Sequence, residues 1–340
     1  MLFLENRESG LDLLRVVALL FIVKFHSYLN NGYYYEAQMG IPMLLAGSFR
    51  WLSTCCVGLF LMLTGYLKSD RTGIKDCYRA LVPVLLGYLI AAAISIPVRH
   101  FVFGDRQSLA IWLKRLFGFS AVYYGWYVGM YLGLTMLSPF LNLLLRQLRE
   151  EKQLLGFTAV LLLLTALPGA TPLPVAPDFW RRMYPLTYYV LGAVIRRLQP
   201  KVMPWLAALA AILLSVALGA ATLLSTDRKL GDAFTQEFAD LWITAITVCA
   251  FLTLYRLRLP SGWQKVFRFA AGGCYGGYLL SHLLDAWCYR CFPQWQTPAQ
   301  YPKLFFAVSV PIFLTSLLAG KALQCGVSAL LHIGRRDTGC

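Results

Sequence analysis

The sequence predicts an all-α integral membrane protein, and three observations lead to this fold class. Of the 340 residues, 58% are hydrophobic and only 14% are charged, whereas a soluble domain carries about 25% charged residues. The mean hydropathy is +0.59. The apolar residues are grouped into runs of about 20, the length of a helix that crosses a bilayer. This length leaves no room for a sizeable soluble domain, so we expect one transmembrane domain over residues 1–340.

About ten apolar runs follow one another along the chain, and each predicts one membrane-spanning helix. Pro83, Pro139 and Pro185 lie in or beside these runs. A helix bundle tolerates such prolines when neighbouring helices satisfy the freed carbonyl groups. The predicted spans are 11–30, 48–68, 79–98, 123–145, 153–169, 183–198, 203–225, 238–256, 270–291 and 304–325.

The basic residues predict the orientation of the bundle. If the amino terminus is cytoplasmic, the inner loops hold clearly more Lys and Arg than the outer loops, which is the usual bias of membrane proteins. We therefore expect both termini to be cytoplasmic. The net charge of +15 also favours contact with anionic membrane lipids. We do not expect nucleic-acid binding, because the basic residues are spread over short loops.

The first run carries polar side chains in an ordered pattern. At about 100° per residue, Asp12, Arg15 and His26 fall within about 60° of one another on one helix face. Arg15 and His26 are about 16 Å apart along the helix axis. Charged groups in hydrocarbon are costly and usually mark a function. Lys24 lies off this face, and we expect its ammonium group to reach the membrane interface.

The pattern on the first run allows two interpretations. A histidine with an ordinary pKa of about 6.5 is a good general base at neutral pH, and arginine presents fixed donors suited to phosphate. Alternatively, Asp12 and Arg15 form a structural pair beside a histidine that another helix satisfies. The residues alone leave both interpretations open.

Two connecting segments have distinctive compositions. Residues 99–122 are basic and aromatic, with Trp112 and Arg115, and predict a short amphipathic helix at the outer interface. Residues 226–240 carry several charges. They form a solvated connection, a lid, or a contact with a substrate that accepts a transferred group.

The cysteines give little evidence of a site. Cys288 and Cys291 form a C-x-x-C pair, which indicates either packing residues or a redox-active pair, and no second pair completes a zinc site. Metal binding is not expected, because no His, Cys and Asp set has the spacing of metal ligands.

Four further blocks follow the Arg15-x10-His26 pattern along the chain: Val57–Leu67 (VGLFLMLTGYL), Tyr78–Pro83 (YRALVP), the segment from Trp126 through Tyr131 to Pro139, and Tyr275–His282 (YGGYLLSH). In this order, the pattern and the blocks resemble the membrane-bound acyltransferase family 3, whose opening helix is similar to the Arg15-x10-His26 pattern. Within that family, the chain resembles the short, single-domain type that O-acetylates envelope sugars.

This resemblance implies a reaction in the bacterial cytoplasmic (inner) membrane. Acetyl-CoA is the implied acyl donor, and the implied acceptor is an envelope saccharide or a lipid-linked saccharide. His26 is the implied general base, with Arg15 and Asp12 beside it in the catalytic site. The residues implied to bind the phosphates of acetyl-CoA are Arg15, Lys68, Lys75 and Arg79.

Trp126, Tyr131 and His282 are candidate acceptor contacts. Core packing or the aromatic belt of the membrane interface also explains the aromatic residues, and is the favoured explanation. His282 lies among glycines, where helices approach closely, and it is either a structural hydrogen-bonding residue or a partner at the site.

The main alternative function is transport of a small solute, because intramembrane charges and glycine-rich broken helices are also found in transporters. A membrane scaffold or sensor is a third alternative, but it does not explain the alignment of Arg15 with His26. The sequence leaves open the acceptor, the acyl chain length, a covalent acyl-histidine and the oligomeric state.

Overall fold

The computed structural model describes residues 9–30, 40–170, 176–225, 238–291 and 308–336. These described ranges contain helices and turns and no strand, which confirms the all-α class. The helices are α1 (Ser9–Asn30), α2 (Gly40–Ser53), α3 (Cys56–Lys68), α4 (Ile74–Arg79), α5 (Val82–Pro97), α6 (Leu109–Phe117), α7 (Trp126–Gln147), α8 (Glu151–Thr165), α9 (Leu167–Ala170), α10 (Tyr184–Leu198), α11 (Pro204–Leu224), α12 (Leu241–Leu254), α13 (Ser261–Cys291) and α14 (Val310–Arg336).

Five helical stretches of the described chain are long and apolar enough to cross a membrane, and the chain is a multi-pass membrane protein. The count of about ten spans and the cytoplasmic position of the termini remain predictions. The five stretches are Gly40–Lys68, Ile74–Val102, Trp126–Gln147, Pro204–Leu224 and Val310–Leu331.

The second predicted span, 48–68, differs from the structure in where it begins and in being broken. Its helical stretch begins earlier, at Gly40, and breaks between α2 and α3. At this break, the hydroxyl groups of Ser53 and Thr54 donate to the carbonyl oxygens of Phe49 and Arg50, one turn earlier. Such side-chain bonds compete with the helical ladder and bend helices.

Helix α1 runs through the centre of the bundle. It packs chiefly against α13 and α3, and also against α2 and α12. Leu14, Ala18 and Leu19 of α1 are fully buried. Both faces of α1 are therefore covered by protein, and its polar side chains lie inside the bundle.

The expected position of Lys24 at the membrane interface is wrong. The Lys24 side chain is 0% exposed, and its Nζ lies 4.9 Å from the centre of the Tyr28 ring. Tyr28 in turn donates to the Ala46 carbonyl oxygen of α2, over 2.7 Å. Helix α2 therefore packs against this part of α1, and the Lys24 ammonium group lies inside the bundle and not at the interface.

The predicted amphipathic helix between residues 99 and 122 is α6. The hydroxyl of Ser108 caps it by accepting from the Ile111 backbone N–H over 3.4 Å. Trp112 is buried beneath the guanidinium groups of Arg99 and Arg115. The apolar side chains of Leu109 and Phe117 are exposed, as an interfacial helix requires.

Two other features noted in the sequence are the charged connection at residues 226–240 and the C-x-x-C pair. In the charged connection, residues 226–237 lie outside the described ranges, and Asp240 caps α12 by accepting from the Trp242 N–H over 2.7 Å. Cys288 is half-buried and Cys291 is exposed on the last turn of α13, and both are free thiols.

Glycines set the closest helix contacts. A Cβ built on Gly192 of α10 would fall on the Met62 carbonyl oxygen of α3, and one built on Gly65 would fall on the Tyr189 carbonyl oxygen. Helices α13 and α14 meet in the same way, since a Cβ on Gly276 would lie 2.7 Å from the Gly320 carbonyl oxygen. Small residues allow this backbone approach in membrane bundles.

We expect Gly192→Ala to destabilise the protein. The new methyl group meets backbone atoms, which cannot turn aside as a side chain can, and overpacking of this kind costs about 1–3 kcal/mol. Thermal unfolding of the purified protein should show a transition a few degrees lower. Gly156→Ala in α8 is the matched control, because nothing lies within 4 Å of its new methyl group. An unchanged transition in Gly192→Ala would contradict the close contact of α3 with α10.

Candidate functional site

A cavity of about 440 Å³ lies beside the first half of α1, and we call it the Arg15 cavity. Arg15, Lys68 and Gln324 supply its charged and amide groups, and Thr64 and Tyr131 supply hydroxyl groups. Most of the remaining wall is aliphatic or aromatic. The cavity therefore combines a few cationic and polar groups with a long apolar lining.

Asp12 orients Arg15 at this cavity. Arg15 Nη1 donates to Asp12 Oδ1 over 2.6 Å, and the two residues are three positions apart on α1. The Asp12 side chain is buried, while 22% of the Arg15 side chain is exposed. The buried carboxylate thus holds one edge of the guanidinium group.

Lys68 is positioned by helix α7. Its Nζ donates to the Tyr131 hydroxyl over 2.6 Å. The Asn142 side-chain amide donates to the carbonyl oxygens of Lys68 and Arg71, over 2.9 and 2.6 Å. These bonds satisfy carbonyl groups at the end of α3 and hold its last turn against α7.

A second cavity of about 440 Å³ lies beside the carboxyl-terminal end of α1, and we call it the His282 cavity. The same helices line both cavities in the same order: residues 15 and 22 of α1 line the first and residue 30 the second, and α13 contributes 271–278 and then 282–290. The two cavities therefore lie one beyond the other along the axis of α1. The second is lined by Asn30, Arg99, Phe103, Asp105, Tyr123, Tyr124, His282, Asp285, Ala286 and Arg290.

His26 lies between the two cavities and lines neither of them. Its Nδ1 is 2.9 Å from the Ile22 carbonyl oxygen. A carbonyl oxygen only accepts, so Nδ1 carries the proton and Nε2 of the neutral ring keeps its lone pair. Ile22 itself lines the Arg15 cavity. The imidazole is thus held in the tautomer that a general base needs.

An aromatic layer separates the cavities at the level of His26. The Tyr124 ring stacks on the imidazole, with ring centres 3.6 Å apart and planes 16° from parallel. The Tyr278 hydroxyl donates to the Tyr124 carbonyl oxygen, and the Tyr127 ring meets the Tyr278 ring edge to face, with centres 5.7 Å apart. We call Tyr124, Tyr127 and Tyr278 the tyrosine layer.

His282 and Asp285 line the second cavity next to this layer. The Tyr124 hydroxyl donates to Asp285 Oδ2 over 3.0 Å. The His282 Nδ1 is 3.0 Å from the Leu279 carbonyl oxygen, so this ring also keeps its lone pair on Nε2. The His282 ring meets Tyr124 edge to face, with centres 5.8 Å apart. Tyr124 therefore contacts both histidines.

The structure brings together only some of the residues predicted from the sequence. Arg15, Lys68 and Tyr131 share one cavity, and His282 lines the other. Lys75 and Arg79 are exposed and line neither cavity. Trp126 also lies outside both, where 44% of it is exposed and its ring stacks on Phe238, with centres 5.9 Å apart.

Tyr124 and Asp285 were missed in the sequence analysis. Asp285 is an acidic residue inside an apolar run, three positions after His282 and hence on the same helix face. That signal was available from the sequence. Tyr124 gave no such signal, because only the folded chain places its ring on His26.

In the wall of the second cavity, Asp105 bridges two arginines. It accepts from Arg99 Nη2 over 2.6 Å and from Arg115 Nη1 over 2.7 Å. Partial burial acts to raise the Asp105 pKa, but hydrogen bonds from Gln107, Arg99 and Arg115 outweigh it, and the pKa lies below its ordinary value.

We expect the stability that Asp105 contributes to depend on pH. A carboxyl group with a lowered folded-state pKa stabilises the fold above its unfolded pKa of about 3.9 and loses that contribution as the pH falls through the folded value. Asp105→Asn should therefore lower the unfolding temperature at neutral pH. The difference from the wild type should shrink as the pH falls below about 4. A pH-independent difference would show that the carboxylate charge is not the cause.

The comparison with known families agrees with this architecture. The sequence model of acyltransferase family 3, described as an acyltransferase domain, matches residues 8–321. Searches of curated proteins and of solved structures return no significant match. Because the family match spans nearly the whole chain, this protein belongs to acyltransferase family 3 and is a membrane acyltransferase.

Proposed function

We propose that this protein transfers an acetyl group from cytoplasmic acetyl-CoA to a hydroxyl group of a cell-envelope saccharide, with His26 as the general base. The observation that carries the proposal is the arrangement along α1. Arg15 lines the Arg15 cavity. His26 lies between that cavity and the His282 cavity, next to the tyrosine layer that separates the two. Donor and acceptor would then approach His26 from opposite ends of α1.

The Arg15 cavity suits the acyl donor. Arg15 and Lys68 are cations at its wall, and guanidinium and ammonium groups bind phosphate. The apolar remainder of the wall would accommodate the thin, mostly uncharged pantetheine arm. Its thioester end would lie toward Ile22 and Tyr278, one helical turn before His26. Lys75 and Arg79, being exposed, would contribute through long-range attraction of the anionic donor.

The chemical step follows from the tautomer of His26. Nε2 takes the proton of the acceptor hydroxyl while that oxygen attacks the carbonyl carbon of the thioester. The tetrahedral intermediate then collapses, the C–S bond breaks, and the imidazolium returns the proton to the leaving thiolate of CoA. Its Nδ1–H stays bonded to the Ile22 carbonyl, which stabilises the imidazolium during the step.

The tyrosine layer must open for this step to occur. In the structure the Tyr124 ring covers one face of His26, so an acceptor in the His282 cavity reaches the imidazole only when that ring moves. We propose that acceptor binding displaces Tyr124. A closed layer in the absence of acceptor would keep water from the thioester and limit its hydrolysis.

Arg15→Ala should strongly reduce the stabilisation of the protein by CoA. Loss of a guanidinium that pairs with phosphate removes a charge-assisted contact, so we expect the thermal shift caused by CoA to fall strongly. Arg258→Ala is the matched control, because Arg258 is exposed and lines neither cavity. Equal shifts in wild type and Arg15→Ala would contradict the donor site. A wild type that CoA does not stabilise would favour the transporter alternative.

His26→Asn should lose transfer but keep the CoA shift. The asparagine amide can still donate to the Ile22 carbonyl, but it provides no base at the position of Nε2. General-base catalysis contributes about 10²–10⁴-fold, so we expect a loss of this size in acetyl transfer to envelope material in membranes. His100→Asn, in the π-helical turn after α5, is the control. Full transfer by His26→Asn would exclude His26 as the base.

A further inference from the structure

Two buried polar atoms in the His282 cavity have no protein partner. His282 is 5% exposed and Asp285 is 1% exposed, yet within the described part of the chain nothing hydrogen-bonds to His282 Nε2 or to Asp285 Oδ1. The other polar atom of each side chain is used, Nδ1 by the Leu279 carbonyl and Oδ2 by the Tyr124 hydroxyl. Each side chain is therefore held in place by one of its polar atoms, while its other polar atom has no hydrogen-bond partner in the described chain.

Such atoms need a partner. A buried polar atom without a hydrogen bond costs about 1–3 kcal/mol, and more when it is charged. Native proteins leave few of them unsatisfied, and those few call for a physical explanation. Here both residues line the same cavity of about 440 Å³. The two atoms are covered in the structure, and Tyr124 contacts both side chains, so a ligand in that cavity would reach the atoms when Tyr124 moves.

The chemistry of the two atoms selects the kind of ligand. Nε2 is the lone-pair nitrogen of the neutral ring and accepts a hydrogen bond, and Oδ1 accepts one when the Asp285 carboxyl group is ionised. The partner must therefore bring two donors. A hydroxyl group donates, whereas an ionised phosphate or carboxylate offers only acceptor atoms. His282 and Asp285 are three positions apart on α13, which places their Cβ atoms roughly 5–6 Å apart.

The rest of the cavity wall also suits a polyhydroxyl compound. Tyr123 and Phe103 supply aromatic surface for the apolar faces of a ring. Arg99 and Arg290 also line the cavity, and they donate to backbone carbonyl oxygens and to Asp105. Guanidinium groups have five donors, so N–H groups remain that can donate to hydroxyl or ring oxygens.

We propose that His282 Nε2 and Asp285 Oδ1 together bind two hydroxyl groups of one sugar ring, and that this pair positions the acceptor saccharide in the His282 cavity. The inference rests on the proposed function and deepens it, because it identifies the groups that recognise the acceptor. His282 and Asp285 are positioning residues. The reacting hydroxyl belongs to the same ring and reaches His26 when Tyr124 moves.

Binding of simple sugars tests this pair directly. The probes are methyl glucoside, methyl galactoside and methyl mannoside, with monodeoxy derivatives of any that bind, added to the full chain in lipid nanodiscs. We expect at least one glycoside to raise the unfolding temperature and its deoxy derivatives to do so less. Asp285→Asn keeps an acceptor for Tyr124 but puts an N–H₂ donor in place of Oδ1. We expect it to weaken sugar binding about tenfold or more.

Matched variants separate recognition from folding. Asp240→Asn changes another buried carboxylate that lines neither cavity, and asparagine caps a helix as well as aspartate, so its sugar binding should match that of the wild type. His282→Asn lacks an atom at the position of Nε2 and should weaken binding, whereas His282→Gln can place its amide oxygen there and should restore part of it.

The outcomes distinguish this inference from the proposed function. If no glycoside stabilises the wild type, or if Asp285→Asn and His282→Asn bind sugar as the wild type does, the pair does not recognise the acceptor. The CoA shift is measured in the same samples. A normal CoA shift with no effect of either variant on sugar binding overturns the inference alone. Sugar binding that depends on Asp285 without any CoA shift overturns the acetyl-transfer proposal and leaves the sugar site standing.

Discussion

The stack of the Tyr124 ring on the His26 imidazole is the contact on which the centre of this structure depends. Two hydrogen bonds hold Tyr124: its hydroxyl donates to Asp285, and its carbonyl oxygen accepts from the Tyr278 hydroxyl. Tyr124 lines the His282 cavity and Tyr278 lines the Arg15 cavity. One aromatic contact thus closes each cavity against the other and covers a face of the proposed base. Any reaction between molecules in the two cavities requires that this contact break.

The hydrogen bonds of the polar groups inside the bundle follow from the free-energy cost of burying such groups without a partner. In an apolar bundle a hydrogen-bonding group must find its partner within the protein. The two imidazoles meet this demand with their Nδ1 atoms, which bond to carbonyl groups one turn away on their own helices. The Arg15 guanidinium group meets the same demand by donating to the Asp12 carboxylate. These local bonds fix each side chain without help from a ligand, so the site is organised before donor or acceptor binds.

The periodicity of α1 was sufficient to predict part of the site. Arg15 and His26 fall on one helix face because the angle per residue is constant, and a face that carries charge must look into the protein. The same argument would have found Asp285 from His282. It failed for Lys24, because helix α2 covers a side of α1 that no periodicity in α1 describes. Periodicity also could not predict that Lys68 lines a cavity whereas Lys75 and Arg79 do not.

By itself, the sequence determined the helical class, the membrane environment and the family, because composition, run length and ordered motifs are local properties of the chain. It also determined which α1 side chains share a face. Only the tertiary structure decided that Arg15 and His26 do not open into one continuous passage. The tyrosine layer between them brings together α1, α13 and the segment leading into α7, and contacts between distant segments depend on how helices pack, which no single run of sequence encodes.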